Sequence, residues 1–128
     1  MTAGSAVVAE DSPPAFGNLH AYKDEIVPWI RRLTDEVHEH GAACMIQWGQ
    51  DDWLPIVSAS AIREPAHRNI PKAAEEWDIE RIVGKYADAA ERMQAGGMDG
   101  IEVEAYGHLF DQFLSPLTNH RADEWGTG

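Results

Sequence analysis

The chain has 128 residues, room for one domain at most, and its 44% hydrophobic and 25% charged content is ordinary for a globular protein. A net charge of −12 makes nucleic acid and anionic membrane surfaces unsuitable partners, and the acidity reads as a solvated surface. The single cysteine, Cys44, lies in an apolar run and behaves as a small hydrophobe, which leaves disulfides, zinc and iron–sulfur ligation without support.

No apolar run approaches a membrane span. Met1 to Glu10 has neither the basic region nor the apolar core of a signal peptide, so the expected location is the cytoplasm. Ala6-Val7-Val8 reads as the end of a strand. Residues 11–18 are a loop by their Pro, Gly, Ser and Asn content.

Residues 21–40 carry Ile26, Ile30, Leu33 and Val37 at helical spacing, an apolar stripe for a core. Asp24 and Glu25 suit the positive end of that helix. Pro28 places the start of the regular helix close to itself, or makes the first turn separate. Gly41 is the stop. His38 and His40, two apart, fall on different faces and read as surface histidines rather than metal ligands.

Residues 42–48 are a short apolar run after a helix stop, the pattern of a buried parallel strand. Gln47 stands at its carboxyl end. A buried amide needs partners for both ends of its group, supplied either by neighbouring strands or by a planar ligand that offers a donor and an acceptor. Residues 54–77 read as a surface excursion, with His67 in a Pro-flanked loop. Residues 78–95 form the clearest helix, with Asp78 as N-cap, Trp77 and Ile82 as a hydrophobic staple, and Gly84 read as a place of close packing.

Gly96-Gly97 ends that helix and leads into a strand over 99–104. Side chains alternate along it: Ile101 and Val103 suit a covering helix layer, while Glu102 and Glu104 point to the opposite, inner face. Strand, helix, strand, excursion, helix, strand is the alternation of an α/β protein with a parallel sheet. In such folds chemistry sits at the carboxyl ends of strands. That picks out Gln47, Glu104, Tyr106 and His108. Two carboxylates on one face also allow a glycoside hydrolase reading for Glu102 and Glu104, although that chemistry sets its acid and nucleophile on opposite sides of a bond.

Asp99-Gly100-Ile101-Glu102-Val103, Gln112-Phe113-Leu114-Ser115-Pro116, Asn119-His120-Arg121-Ala122-Asp123 and Trp125-Gly126 follow one another in order. The series resembles the old yellow enzyme family of FMN-dependent oxidoreductases. It is most similar to the branch of NADH:flavin oxidoreductases, 2,4-dienoyl-CoA reductases and amine demethylases. The resemblance implies a (β/α)8 TIM barrel, which needs about 250 residues. Residues 1–128 would then be a single partial TIM-barrel domain, its N-terminal to middle βα units. Such a sheet needs either a homo-oligomer or the remainder of the barrel to close it.

The resemblance further implies FMN as cofactor, with Gln47 on the flavin pyrimidine edge, and NAD(P)H as electron donor or acceptor. In that family a His-x-x-His or His-x-x-Asn pair polarises the substrate after the fourth strand. Here Glu104-Ala105-Tyr106 stands there, one residue shorter, with His108 where the family often has tyrosine. The catalytic candidates are therefore Tyr106, His108 and Glu104. An acidic, aromatic site suits a cationic substrate, such as an N-methylated amine or betaine, better than an activated alkene. The loop from Trp48 to Pro55 is shorter than the family's and lacks its His and Arg. Arg121 and Asp123 are expected to brace the substrate side as a loop ion pair. The strands that grip the FMN phosphate are not among these residues. The alternative is a non-catalytic barrel fragment unable to bind flavin alone.

Overall fold

A computed structural model of the chain describes residues 1–12, 17–48, 56–63 and 69–127. Its first strand, β1 (Thr2–Val7), begins four residues before the Ala6-Val7-Val8 run that marks it in the sequence. Ala3 and Gly4 are weak strand formers, and pairing with a neighbour overrides their propensity. A two-residue strand, β2 (Leu19–His20), pairs with its carboxyl end. A 3-10 turn (Asp24–Ile26) leads into helix α1 (Val27–Glu39). Pro28 therefore lies in the first α turn, where its missing N–H has no partner to lose.

The third strand is β3 (Met45–Trp48). The short β4 (Val57–Ser58) and β5 (Lys72–Ala73) pair with each other, in parallel, as a separate small sheet. Helix α2 (Glu76–Ala95) leads to β6 (Gly100–Val103) and then to a short helix, α3 (Leu109–Leu114). The main sheet has the order β2-β1-β3-β6, all parallel. Each main-sheet crossover, from β1 to β3 and from β3 to β6, contains one long helix, so the chain is a run of βα units curving into part of a TIM barrel.

Register fixes the two faces. Ile46 pairs with Ile101 and Trp48 with Val103; Met45 pairs with Gly100 and Gln47 with Glu102. The first set turns to the helices. Ile46 and Trp48 are buried in one cluster with Ala6, Ile30 of α1, and Ile82, Ala89 and Met93 of α2. Full burial of an aliphatic side chain of this size stabilises by about 1.5–3 kcal/mol. The second set, with Ser5 from β1, forms the helix-free face and is only part-buried or exposed. The alternation expected for Ile101, Val103 and Glu102 is the one observed.

Four readings are corrected. Residues 56–63 and 69–77 are not a mere surface excursion: Val57, Ala74 and Ile79 form a second small core. The N-cap of α2 is Glu75, not Asp78, which is the third helical residue and closes a capping box. The Asp78 carboxylate accepts from the Glu75 N–H at 2.9 Å, and the Glu75 side chain accepts from the backbone of residue 78. Trp77 is exposed over the Lys72 ammonium, and the apolar pair flanking the cap is instead Ala74 and Ile79. Gly84 is not a place of close packing: a Cβ there meets no atom of the described residues within 4 Å.

The close approach occurs at the double glycine instead. A Cβ on Gly96 would stand 2.4 Å from Ile30 Cγ2. One on Gly97, whose φ is +88°, would stand 2.9 Å from Thr34 Oγ1. The end of α2 thus lies directly on α1, which only glycine permits. The buried Thr34 hydroxyl donates to the Gly96 carbonyl at 2.7 Å across that contact. His38, exposed as expected of a surface histidine, places Nε2 2.8 Å from Asp99 Oδ2, the same oxygen that accepts from the Cys44 N–H at 2.7 Å. Residues 13–16, 49–55 and 64–68, with the shortened loop and His67, lie outside the described residues.

Candidate functional site

The carboxyl ends of β3 and β6 carry the candidate residues. Gln47 is the penultimate residue of β3, and alternation turns it to the helix-free face, away from the core that holds Trp48. There its Nε2 donates to Glu102 Oε1 at 3.3 Å. The second carboxylate oxygen of Glu102 accepts from Thr2 Oγ1 of β1 at 3.4 Å. A polar row therefore crosses three strands. Gln47 Oε1 accepts from no group among the described residues.

Past β6 the ladder runs on by one bond, from Glu104 N to the Trp48 carbonyl at 3.3 Å. Glu104 Oε1 and His108 Nε2 are 4.0 Å apart, both about one-third exposed. His108 is the residue just before α3, and it is brought back by the turn at Gly107, whose φ is +73°. Gly107 N donates to Asp111 Oδ2 at 3.2 Å, which ties this turn to α3. Tyr106 is 84% exposed, its phenol open to solvent. The structure thus joins Gln47 to Glu102 and Glu104 to His108, and leaves Tyr106 apart from both pairs. No hydrogen bond among the described residues links the Glu102 and Glu104 carboxylates. Among the described residues no three of His, Cys, Asp and Glu converge as a metal site would require.

The loop after α3 is held from the other side. Arg121 forms a bidentate pair with Asp123, its Nε 2.9 Å from Oδ1. Its Nη1 also donates to the carbonyls of Ala59 and Ala74, one beyond each strand of the small sheet. The Arg121 guanidinium holds the Asp123 carboxyl below the usual carboxylate range. Asn119, buried, donates to the carbonyls of Phe113 and Trp125, both at 2.8 Å. Arg121 is therefore more than a loop ion pair. Its reach to two backbone carbonyls 47 and 62 residues away has no local signal in the sequence. The Gln47–Glu102 contact was likewise hidden, since it depends on strand register.

On the opposite, helix-covered side an apolar groove of about 510 Å³ lies between α2, the end of β6 and α3. Trp48, Tyr86, Val103, Phe110 and Trp125 line it. It is separated from Gln47 by the sheet itself.

Parallel βα units with polar side chains gathered at their strand ends define a segment of a TIM-barrel enzyme. The family model of the NADH:flavin oxidoreductase / NADH oxidase family matches residues 1–128, and the chain belongs to that family. It is 62% identical, over 98% of its length, to a probable N-methylproline demethylase of Rhizobium meliloti. It is 42% identical, over 96%, to an N,N-dimethylglycine/sarcosine dehydrogenase of Chromohalobacter salexigens. Identity is 40%, over 98%, to a multifunctional alkene reductase/demethylase of Caballeronia cordobensis. The chain spans about a fifth of the length of each of these relatives, 20%, 19% and 20% respectively. In fold it matches the Old Yellow Enzyme from Pichia sp. AKU4542 with a TM-score of 0.82 at 23% identity, over 95% of this chain and 37% of that one. The Old Yellow Enzyme homologue of Zymomonas mobilis gives 0.80. Among the described residues no helix is long and apolar enough to cross a membrane.

Proposed function

We propose that these residues form the pyrimidine-facing and substrate-facing part of an FMN-dependent oxidoreductase whose substrate is an N-methylated amine or betaine. NAD(P)H serves as the other redox partner. The observation that carries the reading is Gln47: a strand-end amide on the helix-free face, with Nε2 engaged by Glu102 and Oε1 unengaged among the described residues. That acceptor, with the second hydrogen on Nε2, fits the alternating donor and acceptor of a flavin pyrimidine edge. The fit is partial, because no phosphate-binding glycine loop is present in the sequence.

FMN, when bound, supplies the two-electron acceptor or donor. The chain's own residues then orient and discriminate. Glu104, ionised, attracts a cationic nitrogen and repels an enolate. Tyr106 offers a ring face for cation–π attraction and a hydroxyl that donates. His108, its Nε2 4.0 Å from Glu104 Oε1, offers an imidazole that can donate or accept a hydrogen bond at the site. Two relatives named for N-methylproline and for N,N-dimethylglycine or sarcosine support this substrate class. The relative named for both alkene reduction and demethylation keeps activated alkenes as a second class.

The test is a visible spectrum of the purified chain after incubation with excess FMN and desalting. A retained, shifted flavin band, weakened roughly tenfold or more in affinity by Gln47→Ala, is expected. N-methylproline, N,N-dimethylglycine and a simple enone would then be compared as substrates. A colourless protein would make this chain a non-catalytic fragment, with the chemistry belonging to a complete barrel.

A further inference from the structure

We infer that Glu102 is a positioning residue that fixes which way round the Gln47 side-chain amide stands. The two ends of a glutamine amide are nearly isosteric, and neighbours decide its orientation. A carboxylate can only accept. With Glu102 Oε1 at 3.3 Å, the amide nitrogen must face Glu102, so the carbonyl Oε1 faces away from it. Thr2 Oγ1, donating to the other carboxylate oxygen at 3.4 Å, limits rotation of the Glu102 head. Glu102 and Gln47 are register partners on β6 and β3, so the backbone ladder holds the two side chains side by side. Ser5, the register partner of Gln47 on β1, accepts from Asn18 Nδ2 at 3.3 Å and makes no bond to the Gln47 amide among the described residues, so Glu102 is the side chain that holds that amide.

The consequence for a ligand rests on the flavin reading above. A pyrimidine edge presents N–H at position 3 between two carbonyls. The orientation set by Glu102 offers an acceptor to that N–H and leaves one Nε2 hydrogen for a flanking carbonyl. The flipped amide would set donor against donor. Glu102 thus preorganises the contact without touching the ligand, which spares the ordering of one side chain on binding.

Two measurements separate the parts of this inference. In the chain without flavin, the Nε2 proton resonances of Gln47, assigned by their loss in Gln47→Ala, are read by 1H–15N NMR. A charge-assisted bond should set one of the two protons downfield. Glu102→Leu should collapse that separation, and Glu102→Gln, which keeps an acceptor, should retain part of it. Unchanged Gln47 resonances in Glu102→Leu, with the rest of the spectrum folded, would overturn the inference. FMN and N3-methyl-FMN are then titrated as probes. The parent should prefer FMN by roughly tenfold, one lost hydrogen bond's worth, and Glu102→Leu should lower that preference to about threefold. Equal preference in parent and variant would also overturn it. Failure of both proteins to bind either probe would sink the flavin reading for this chain, with the amide orientation still decided by the NMR result.

Discussion

Thr34 and Gly96 meet where the middle of α1 crosses the end of α2, and neither group reaches water there. The hydroxyl has one hydrogen. The 2.7 Å distance to the Gly96 carbonyl, against 3.0 Å to the Arg31 carbonyl of its own helix, assigns that hydrogen to the crossing. Thr34→Val keeps the shape, removes the donor and leaves a helix-terminal carbonyl buried without it. The expected loss is about 1–2 kcal/mol, read as a lower urea midpoint at unchanged slope. An unchanged midpoint would mean that the Arg31 side chain, which reaches the neighbouring Ala95 carbonyl, takes over the cap.

At the scale of elements, α2 shows how far local chemistry carries. Its apolar stripe buries Ile79, Ile82, Ala89 and Met93 as periodicity dictates, and its glycine stop was equally plain. Gly84 is the exception. It lies on the exposed side, with no atom of the described residues within 4 Å of a Cβ, and so it only loosens the helix. Gly84→Ala should raise stability by about 0.5–1 kcal/mol, seen as a higher thermal midpoint. A fall would mean that a further element packs on that side. The two long helices and the two strands with continuous apolar runs were legible because burial follows a period; the six-residue α3 was not read as a helix. The small strands β2, β4 and β5 were not, because two residues carry no period and their pairing is entirely long-range. The cap of α2 was misplaced by three residues because Asp78 and Glu75 serve it together, each by its own carboxylate. Gln47 could be read as a strand-end amide from its place in an apolar run. Its partner Glu102 was visible as a residue on the inner face, but not as that partner. Tyr106, Glu104 and His108 were grouped by proximity in sequence, and the turn at Gly107 brings only the last two together.

At the scale of the whole chain, acid should unfold this protein although it carries a net charge of −12. Four carboxyls at three joints are held below the usual carboxylate range, Glu75 and Asp78 sharing Lys72 at the cap of α2. Glu75 is lowered by its bonds from Lys72 and Trp77. Burial pushes Asp78 up, but the Lys72 ammonium at 2.7 Å and the Glu75 N–H outweigh it and bring it down. The Cys44 N–H and then His38 lower Asp99, and Arg121 lowers Asp123. Each binds its proton more weakly folded than unfolded. The stability they contribute is therefore complete above the unfolded carboxylate value, about 4, and is lost as pH falls through the lower folded values. Protonation also relieves repulsion among the remaining acidic groups, which acts the other way. The pairs prevail because repulsion between exposed charges is screened beyond about 8 Å at physiological salt, while these partners stand in contact. The urea midpoint is expected to be flat from about pH 7 to 5 and to fall below about 4. In Asp99→Asn it should start lower and fall less steeply, since one of the four groups no longer titrates. A midpoint that rises on acidification would show that self-repulsion, not these carboxyl pairs, governs the stability of this acidic chain.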